Sequence, residues 1–71
     1  MTNEGLLRRT IDNCGYKLKF VAMRAGLSYQ GLLNKMQNKR NFTAPEIQAI
    51  SELLNLTEAE RTAIFFAPNV D

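Results

Sequence analysis

Hydrophobic residues recur at helical spacing along almost the whole chain, and no sustained alternation predicts a strand. The first predicted helix runs from about Glu4 to Cys14. Leu7, Ile11 and Cys14 fall on one stripe of this helix. Gly15 follows the helix and is suited to a left-handed C-terminal cap. The pattern therefore predicts a short amphipathic helix that ends in a tight turn.

The second predicted helix spans about Lys17 to Ala25, and no good N-cap residue precedes it. Gly26 ends it. A third helix is predicted to begin after Ser28, which is expected to be its N-cap, and to end near Asn38. The apolar residues of the two helices lie at helical spacing: Leu18, Val21, Ala22 and Ala25 in the second, and Leu32, Leu33 and Met36 in the third.

Two capping boxes predict where the fourth and fifth helices begin. Thr43 and Glu46 form the first box, with a proline in the first turn, and Thr57 and Glu60 form the second. Phe42 is expected to staple onto the fourth helix, and Pro68 is expected to end the fifth. The predicted inner faces are Ile47, Ile50, Leu53 and Leu54 in the fourth helix, and Ala63, Ile64 and Phe66 in the fifth. Residues 1–71 are thus predicted to form one all-α domain of five short helices.

Composition excludes several classes of function. The 71 residues contain no histidine and one cysteine, so neither a His-based metal site nor a catalytic triad is possible. No glycine-rich phosphate loop appears, so we expect neither an enzyme nor a cofactor. Cys14 is expected to be a small core hydrophobe in a reducing cytoplasm. The longest apolar run, residues 63–67, falls far short of the roughly 20 residues of a membrane span, and the polar N-terminus does not resemble a signal peptide.

The net charge of +2 conceals two halves of opposite sign. Residues 1–41 contain eight Lys and Arg against two Asp and Glu, a net charge of +6. Residues 42–71 contain one Arg against five Asp and Glu, a net charge of −4. A basic half of this kind indicates a polyanionic partner on one side of the molecule.

Residues 22–32 meet the requirements of a helix-turn-helix. Ala22 is small where two helices would cross, and Gly26, four residues later, can adopt the positive φ of the turn. Leu27 plugs the turn, Ser28 caps the next helix, and Leu32 lies five residues after the plug. The second and third helices are therefore predicted to form this motif.

With this motif, the chain resembles the Cro/C1 family of phage and bacterial regulators, which have the lambda-repressor-like fold. The resemblance runs from about Leu6 to Phe66. Residues 34–47 and 64–66 are particularly similar to short temperate-phage regulators, including early lytic regulators and modulators of repression. The resemblance implies a compact five-helix domain that binds double-stranded operator DNA with its third helix in the major groove. It also implies a role in a lysis–lysogeny switch in the bacterial cytoplasm.

The resemblance assigns roles residue by residue. Tyr29, Gln30 and Asn34 match the positions that contact bases, and Gln and Asn can each pair with adenine through two hydrogen bonds. Leu18 departs from the family, which often has a phosphate-binding glutamine there, and Lys35 replaces a common core hydrophobe. Gly31 within the third helix costs about 1 kcal/mol relative to Ala, and it would permit either close helix packing or close approach of the backbone to a partner. The residues expected at the DNA phosphates are Lys17, Lys19, Ser28, Gln37, Lys39 and Arg40.

Alternatives remain open for the partner. The chain could be an antirepressor that binds a phage repressor protein through the same fold, or the antitoxin of a toxin–antitoxin pair. A lone recognition helix gains few base contacts, so we also expect a homodimer. Consecutive helical side chains diverge by about 100°, so Phe65 and Phe66 cannot both point inward. One is expected in the core and the other on a dimer or partner surface.

Overall fold

The computed structural model describes residues 1–68, which form five α-helices and no strand. Each predicted helix is present, and the predicted starts of all five and the predicted ends of the first three lie within two residues of the observed ones. The helices are α1 (Glu4–Asn13), α2 (Leu18–Arg24), α3 (Tyr29–Met36), α4 (Ala44–Leu53) and α5 (Glu58–Phe65).

A residue in the left-handed conformation closes each of the first four helices. Gly15 (φ +79°) follows α1 and Gly26 (φ +75°) follows α2, which confirms both predicted glycine turns. Asn38 (φ +63°) follows α3 and Asn55 (φ +53°) follows α4 in the same conformation, and the sequence pattern predicts neither. Asparagine is the residue that most often replaces glycine in this position.

The turn between α2 and α3 shows how this closure works. The Gly26 N–H donates to the Met23 carbonyl at 3.1 Å, and the Leu27 N–H donates to the Ala22 carbonyl at 2.8 Å. These are the two hydrogen bonds of a Schellman motif, which satisfies carbonyls at the end of a helix and reverses the chain. Leu27 then packs against the core. The predicted glycine turn between α2 and α3 is thereby present.

Side-chain caps start four of the five helices. The Ser28 hydroxyl accepts from the Gly31 N–H, and the boxes that begin at Thr43 and Thr57 are both complete. Lys17 makes no side-chain cap at the start of α2, as expected. Asn3 caps α1 by accepting from the Leu6 N–H at 3.1 Å, a cap that the sequence analysis missed.

All five helices contribute to one core. Helix α2 packs against α3 and α4, and α1 packs against α5. The Phe42 ring meets the Phe65 ring edge-on, with centroids 5.3 Å apart, and so closes the core beside the start of α4. The buried apolar residues are Leu7, Ile11, Val21, Ala22, Leu32, Met36, Ile50, Leu54, Ile64 and Phe65.

Three predicted inner positions were wrong. Cys14 is exposed, because α1 ends at Asn13 and the turn at Gly15 carries the chain away from the core. In α5, Ile64 and Phe65 are buried, whereas Ala63 and Phe66 are exposed. The packing of the Phe65 ring against Phe42 fixes this rotation of α5.

Leu33 also departs from the prediction. It is half-buried and lies outside the cluster of apolar residues that pack in or against the core. Leu32 and Met36 are fully buried and supply the inner face of α3 without it.

The N-terminal segment ties two distant turns together. The Asn38 side chain accepts from the Thr2 N–H at 2.7 Å and donates to the Thr2 carbonyl at 2.9 Å. The Asn3 N–H donates to the Ile64 carbonyl at 2.7 Å. Residues before α1 therefore join the end of α3 to the end of α5.

The turn at Gly26 gives a test of the fold. A Cβ added there meets no atom within 4 Å, so we attribute the cost of Gly26→Val to the positive φ. We expect Gly26→Val to lower the free energy of unfolding by about 1–3 kcal/mol. A thermal melt should show this as a loss of several degrees in Tm.

Gly5→Val is the matched control. Gly5 lies in the first turn of α1, and its added Cβ would make only an ordinary contact at 3.9 Å with Asn3 Oδ1. Because glycine is a poor helix residue, this variant should keep or raise Tm. A shift of less than about two degrees for Gly26→Val would contradict the role of the left-handed turn.

Candidate nucleic-acid interface

The outer side of α3 presents the three residues expected to contact bases. Tyr29 and Gln30 are exposed and Asn34 is half-buried, while Leu32 on the opposite side is fully buried. Tyr29 is 43% exposed. The Schellman turn and the Ser28 cap fix the start of this helix. The three predicted base-contacting residues therefore share one accessible side of the molecule.

Gln30 and Asn34 are linked to each other. The Gln30 Nε2 atom donates to the Asn34 Oδ1 atom at 3.0 Å. Each amide keeps further capacity, because an amide has two N–H donors and an oxygen with two lone pairs. The hydrogen bond orients both groups and leaves Gln30 Oε1 and Asn34 Nδ2 available to a partner.

Cations and polar groups surround this face. The Lys39 N–H donates to the Asn34 carbonyl at 2.9 Å, which places Lys39 and Arg40 directly beyond the end of α3. The Ser28 hydroxyl caps Gly31 but can still donate its own proton. All six residues predicted at phosphates are exposed: Lys17, Lys19, Ser28, Gln37, Lys39 and Arg40.

Charge around α3 is of one sign. No Asp or Glu occurs between residues 13 and 45, whereas the same stretch contains six Lys and Arg. Within residues 1–68 the ion pairs are Arg8–Glu4 and Lys35–Glu46, so Lys35 is the one cation of this stretch that is neutralised. The stretch therefore carries a positive field suited to a polyanion.

Lys35 has a structural role that the sequence analysis missed. Its Nζ atom lies 2.6 Å from Glu46 Oε1, and the two side chains are 13% and 14% exposed. The same Glu46 oxygen accepts from the Thr43 N–H at 2.9 Å. The last turn of α3 is thereby joined to the capping box of α4. Lys35 thus stabilises the helix pair through an ion pair where a core hydrophobe is common in the family it resembles.

The pKa of Glu46 reflects this environment. Burial raises the pKa, but hydrogen bonds from Lys35 and Thr43 outweigh burial and leave it below the ordinary value of 4.5. The carboxylate is therefore charged in neutral solution, and its pairing with Lys35 is maintained.

Gly31 is explained by the cap of its own helix. An added Cβ would lie 3.0 Å from the Ser28 hydroxyl oxygen that caps the Gly31 N–H. This distance is shorter than van der Waals contact, so a larger residue would press on the cap. The glycine therefore accommodates the N-terminal turn of α3 and makes no close helix crossing.

A second exposed surface surrounds Phe66. Phe66 is 59% exposed, whereas Phe65 is 5% exposed, so Phe65 is the residue in the core and Phe66 is the residue on the surface. Two open recesses of about 280 and 230 Å³ lie beside it, and both are lined by Phe66 and Ile47. Met1, which is 53% exposed, lines the second recess. Asn38 and Asn41, which flank the predicted phosphate contacts Lys39 and Arg40, also line the second recess.

Other classes of site find no support among residues 1–68. No three Cys, Asp or Glu side chains gather there as metal ligands would. None of the helices described is both long and apolar enough to cross a membrane. Comparison of the chain with protein-family models, curated proteins and solved structures yields no match.

The ion pair between α3 and α4 gives a test with an internal control. Glu46→Gln preserves the capping hydrogen bonds but removes the charge that faces Lys35. We expect it to lower the free energy of unfolding by about 1–3 kcal/mol at neutral pH. Because the folded pKa of Glu46 is depressed, the pair contributes above about pH 4.5 and is lost as the pH falls through the folded pKa. Denaturant unfolding should therefore show the parent and the variant converging in acid.

Glu60→Gln makes the same change in the other capping box. Glu60 accepts from the Thr57 N–H at 2.8 Å and has no lysine partner. This variant should cost less stability at neutral pH than Glu46→Gln. Equal losses at the two positions would show that Lys35 contributes nothing.

Proposed function

We propose that this protein is a sequence-specific DNA-binding regulator of transcription that inserts α3 into the major groove. The observation that carries the proposal is the exposed, mutually oriented amide pair of Gln30 and Asn34. It lies on a helix that begins at a Gly26 turn and is surrounded by cations. The proposal extends to the lambda-repressor-like fold, to which the chain's motif and its five-helix order are similar.

The amide pair favours base recognition over a generic polar surface. An amide in the major groove can accept from adenine N6 and donate to adenine N7 at the same time. A preformed hydrogen bond between Gln30 and Asn34 lowers the entropy cost of presenting both groups together. Tyr29, one position before Gln30, can contact a thymine methyl group or a phosphate. This face therefore supports recognition of A·T-containing sequence.

The surrounding cations supply the second requirement. Lys39 and Arg40 lie just past the end of α3, and Lys17 lies at the start of α2. Cations at both ends of the helix-turn-helix can contact the phosphates that border the groove and set the register of α3. The absence of acidic residues from 13 to 45 keeps repulsion from DNA low.

The size of the face argues for more than one copy on DNA. Three base-contacting residues read a short half-site, and helix-turn-helix proteins commonly bind two half-sites about one helical turn apart. The exposed Phe66 surface is remote in sequence from α3 and supplies apolar area for a contact between copies. By resemblance, the regulator belongs to a temperate-phage lysis–lysogeny switch and acts in the bacterial cytoplasm.

One observation favours a second candidate, an antirepressor that binds a repressor protein. Leu33 is half-buried outside the core, one position from Asn34 and four from Tyr29. An aromatic and a leucine at this spacing form an apolar strip typical of helix-mediated protein contacts. Binding to a repressor from the same genome, without binding to DNA, would support this candidate.

The base contacts are tested on a sequence selected by the parent protein from random duplexes. Gln30→Ala and Asn34→Ala should each weaken binding to that sequence by about 1–3 kcal/mol. The affinity for unrelated duplexes should stay nearly unchanged, because nonspecific complexes depend on contacts between cations and phosphates. The two losses should not add, since the side chains share a hydrogen bond. Fluorescence anisotropy on both duplexes measures these effects.

Lys39→Ala is the contrasting variant. It should weaken binding to both duplexes alike and reduce the slope of log K against log salt by about one. Arg9→Ala on α1 is the control for loss of a distant cation. If the parent enriches no sequence, or if both alanine variants at the amide pair bind like the parent, base recognition by α3 is wrong.

The Phe66 surface is tested by Phe66→Ser. Because Phe66 is exposed, the variant should keep the parent's Tm while self-association and binding to a two-half-site duplex weaken together. Phe65→Ser should instead unfold the domain, because it leaves a cavity and a polar group in the core. Sedimentation and gel shifts on the same samples measure both properties. Unchanged association by folded Phe66→Ser would exclude this surface.

A further inference from the structure

Asn38 and Asn55 occupy the same position at the ends of two helices. Asn38 follows α3 and Asn55 follows α4, both with positive φ. In each turn, the asparagine N–H donates to a carbonyl three residues back at 3.2 Å, and the next N–H donates to a carbonyl five residues back at 2.9 Å. All of these hydrogen bonds are made by the backbone. Closing either helix therefore does not require an asparagine side chain.

The side chains of the two asparagines differ in what they contact. The Asn38 amide accepts from the Thr2 N–H at 2.7 Å and donates to the Thr2 carbonyl at 2.9 Å. The Asn55 side chain is exposed and makes no hydrogen bond within the part of the chain that the structure describes. The Asn38 amide therefore does something beyond the closure of α3.

The segment that this amide contacts is itself anchored to α5. Thr2 is buried, with an exposure of 7%. The Asn3 N–H donates to the Ile64 carbonyl at 2.7 Å, and the Ala67 N–H donates to the Met1 carbonyl at 3.0 Å. The backbone on both sides of Thr2 is thus fixed to the end of α5, which makes this segment a firm support.

The two residues that follow Asn38 are the cations expected at the DNA phosphates beyond α3. Lys39 and Arg40 are exposed, and neither has an ion-pair partner within residues 1–68. The backbone of Arg40 and Asn41 makes no hydrogen bond to other backbone groups in the same range. The Asn38 amide is therefore the side-chain contact that fixes the α3 end of this cationic segment.

We propose that Asn38 is a positioning residue for the phosphate contacts. Its amide holds the turn after α3 against residues 1–3, so that Lys39 and Arg40 are presented beside α3 before DNA arrives. Without this contact both cations would remain, but the turn would have to be ordered at each binding event, which lowers affinity. The inference rests on the proposed function, and it adds the residues before α1 to those on which DNA binding depends.

The test compares Asn38→Gly with Asn55→Gly. Glycine adopts a positive φ without strain, so both variants keep the backbone closure and lose only an amide. Circular dichroism should show parent-like folding, and binding is measured well below the lowest Tm. Asn38→Gly should weaken binding to the selected duplex and to an unrelated duplex by the same factor, about three- to tenfold. Asn55→Gly should bind both duplexes like the parent.

A double-variant cycle shows whether Asn38 acts through the two cations. In a Lys39→Ala/Arg40→Ala background, Asn38→Gly should change the affinity for either duplex by less than about twofold, because no cation remains to be positioned. A loss of stability alone would not depend on whether these cations are present. All proteins are compared at one low salt concentration, at which the background variant still binds.

Several results would overturn the inference. Asn38→Gly could bind both duplexes like Asn55→Gly, or its loss could persist in the Lys39→Ala/Arg40→Ala background, which would make Asn38 an independent contact. A loss confined to the selected duplex would show that Asn38 acts on the base-contacting face instead. A parent that prefers no sequence would refute sequence-specific recognition, yet its binding to any duplex would still test Asn38. A parent that binds no duplex would overturn both proposals.

Discussion

The left-handed residue that closes each of α1 to α4 is the constraint on which the rest of the structure depends. Helices of seven to ten residues are too short to be stable alone in water, so each relies on its ends and on its neighbours. At Gly15, Gly26, Asn38 and Asn55, one residue of positive φ satisfies the last carbonyls and turns the chain back on itself. Four such reversals fold the chain around ten buried apolar residues, and the loops between the helices are short.

The consequence for α3 is that both its ends are fixed. At its start, the Leu27 N–H bonds to Ala22 and the Ser28 hydroxyl caps the first turn. At its end, Asn38 bonds to the backbone of Thr2, and Lys35 bonds to the capping glutamate of α4. Its inner side is meanwhile buried through Leu32 and Met36. A binding face built on a helix with such supports keeps its geometry before the partner arrives, so little entropy is lost on binding.

Features set by neighbouring residues could be predicted from the sequence, and features set by distant contacts could not. Glycine turns and Ser or Thr caps follow from residues within four positions, and these predictions were confirmed. Cys14 was wrongly predicted to be buried because the apolar stripe continues one residue past the end of α1.

The burial of Phe65 instead of Phe66 depends on Phe42, more than twenty residues away, and the partner of Lys35 lies eleven residues along the chain. The left-handed conformation of Asn38 could not be predicted, because asparagine also occurs in many other kinds of turn. The side of α3 that carries Gln30 and Asn34 was predictable, but their mutual hydrogen bond was not.

Segregation of charge connects the fold to the proposed contact with DNA. A net charge of +2 spread evenly would attract DNA weakly and from every direction. Here the stretch from 13 to 45 contains no acidic residue, while the part of the chain from α4 onward contains most of them. Because α2 and α3 are adjacent in the packed structure, their cations act together, and α5 packs on α1 with its carboxylates outward. The acidic part would be repelled from phosphates, which orients the molecule on a duplex.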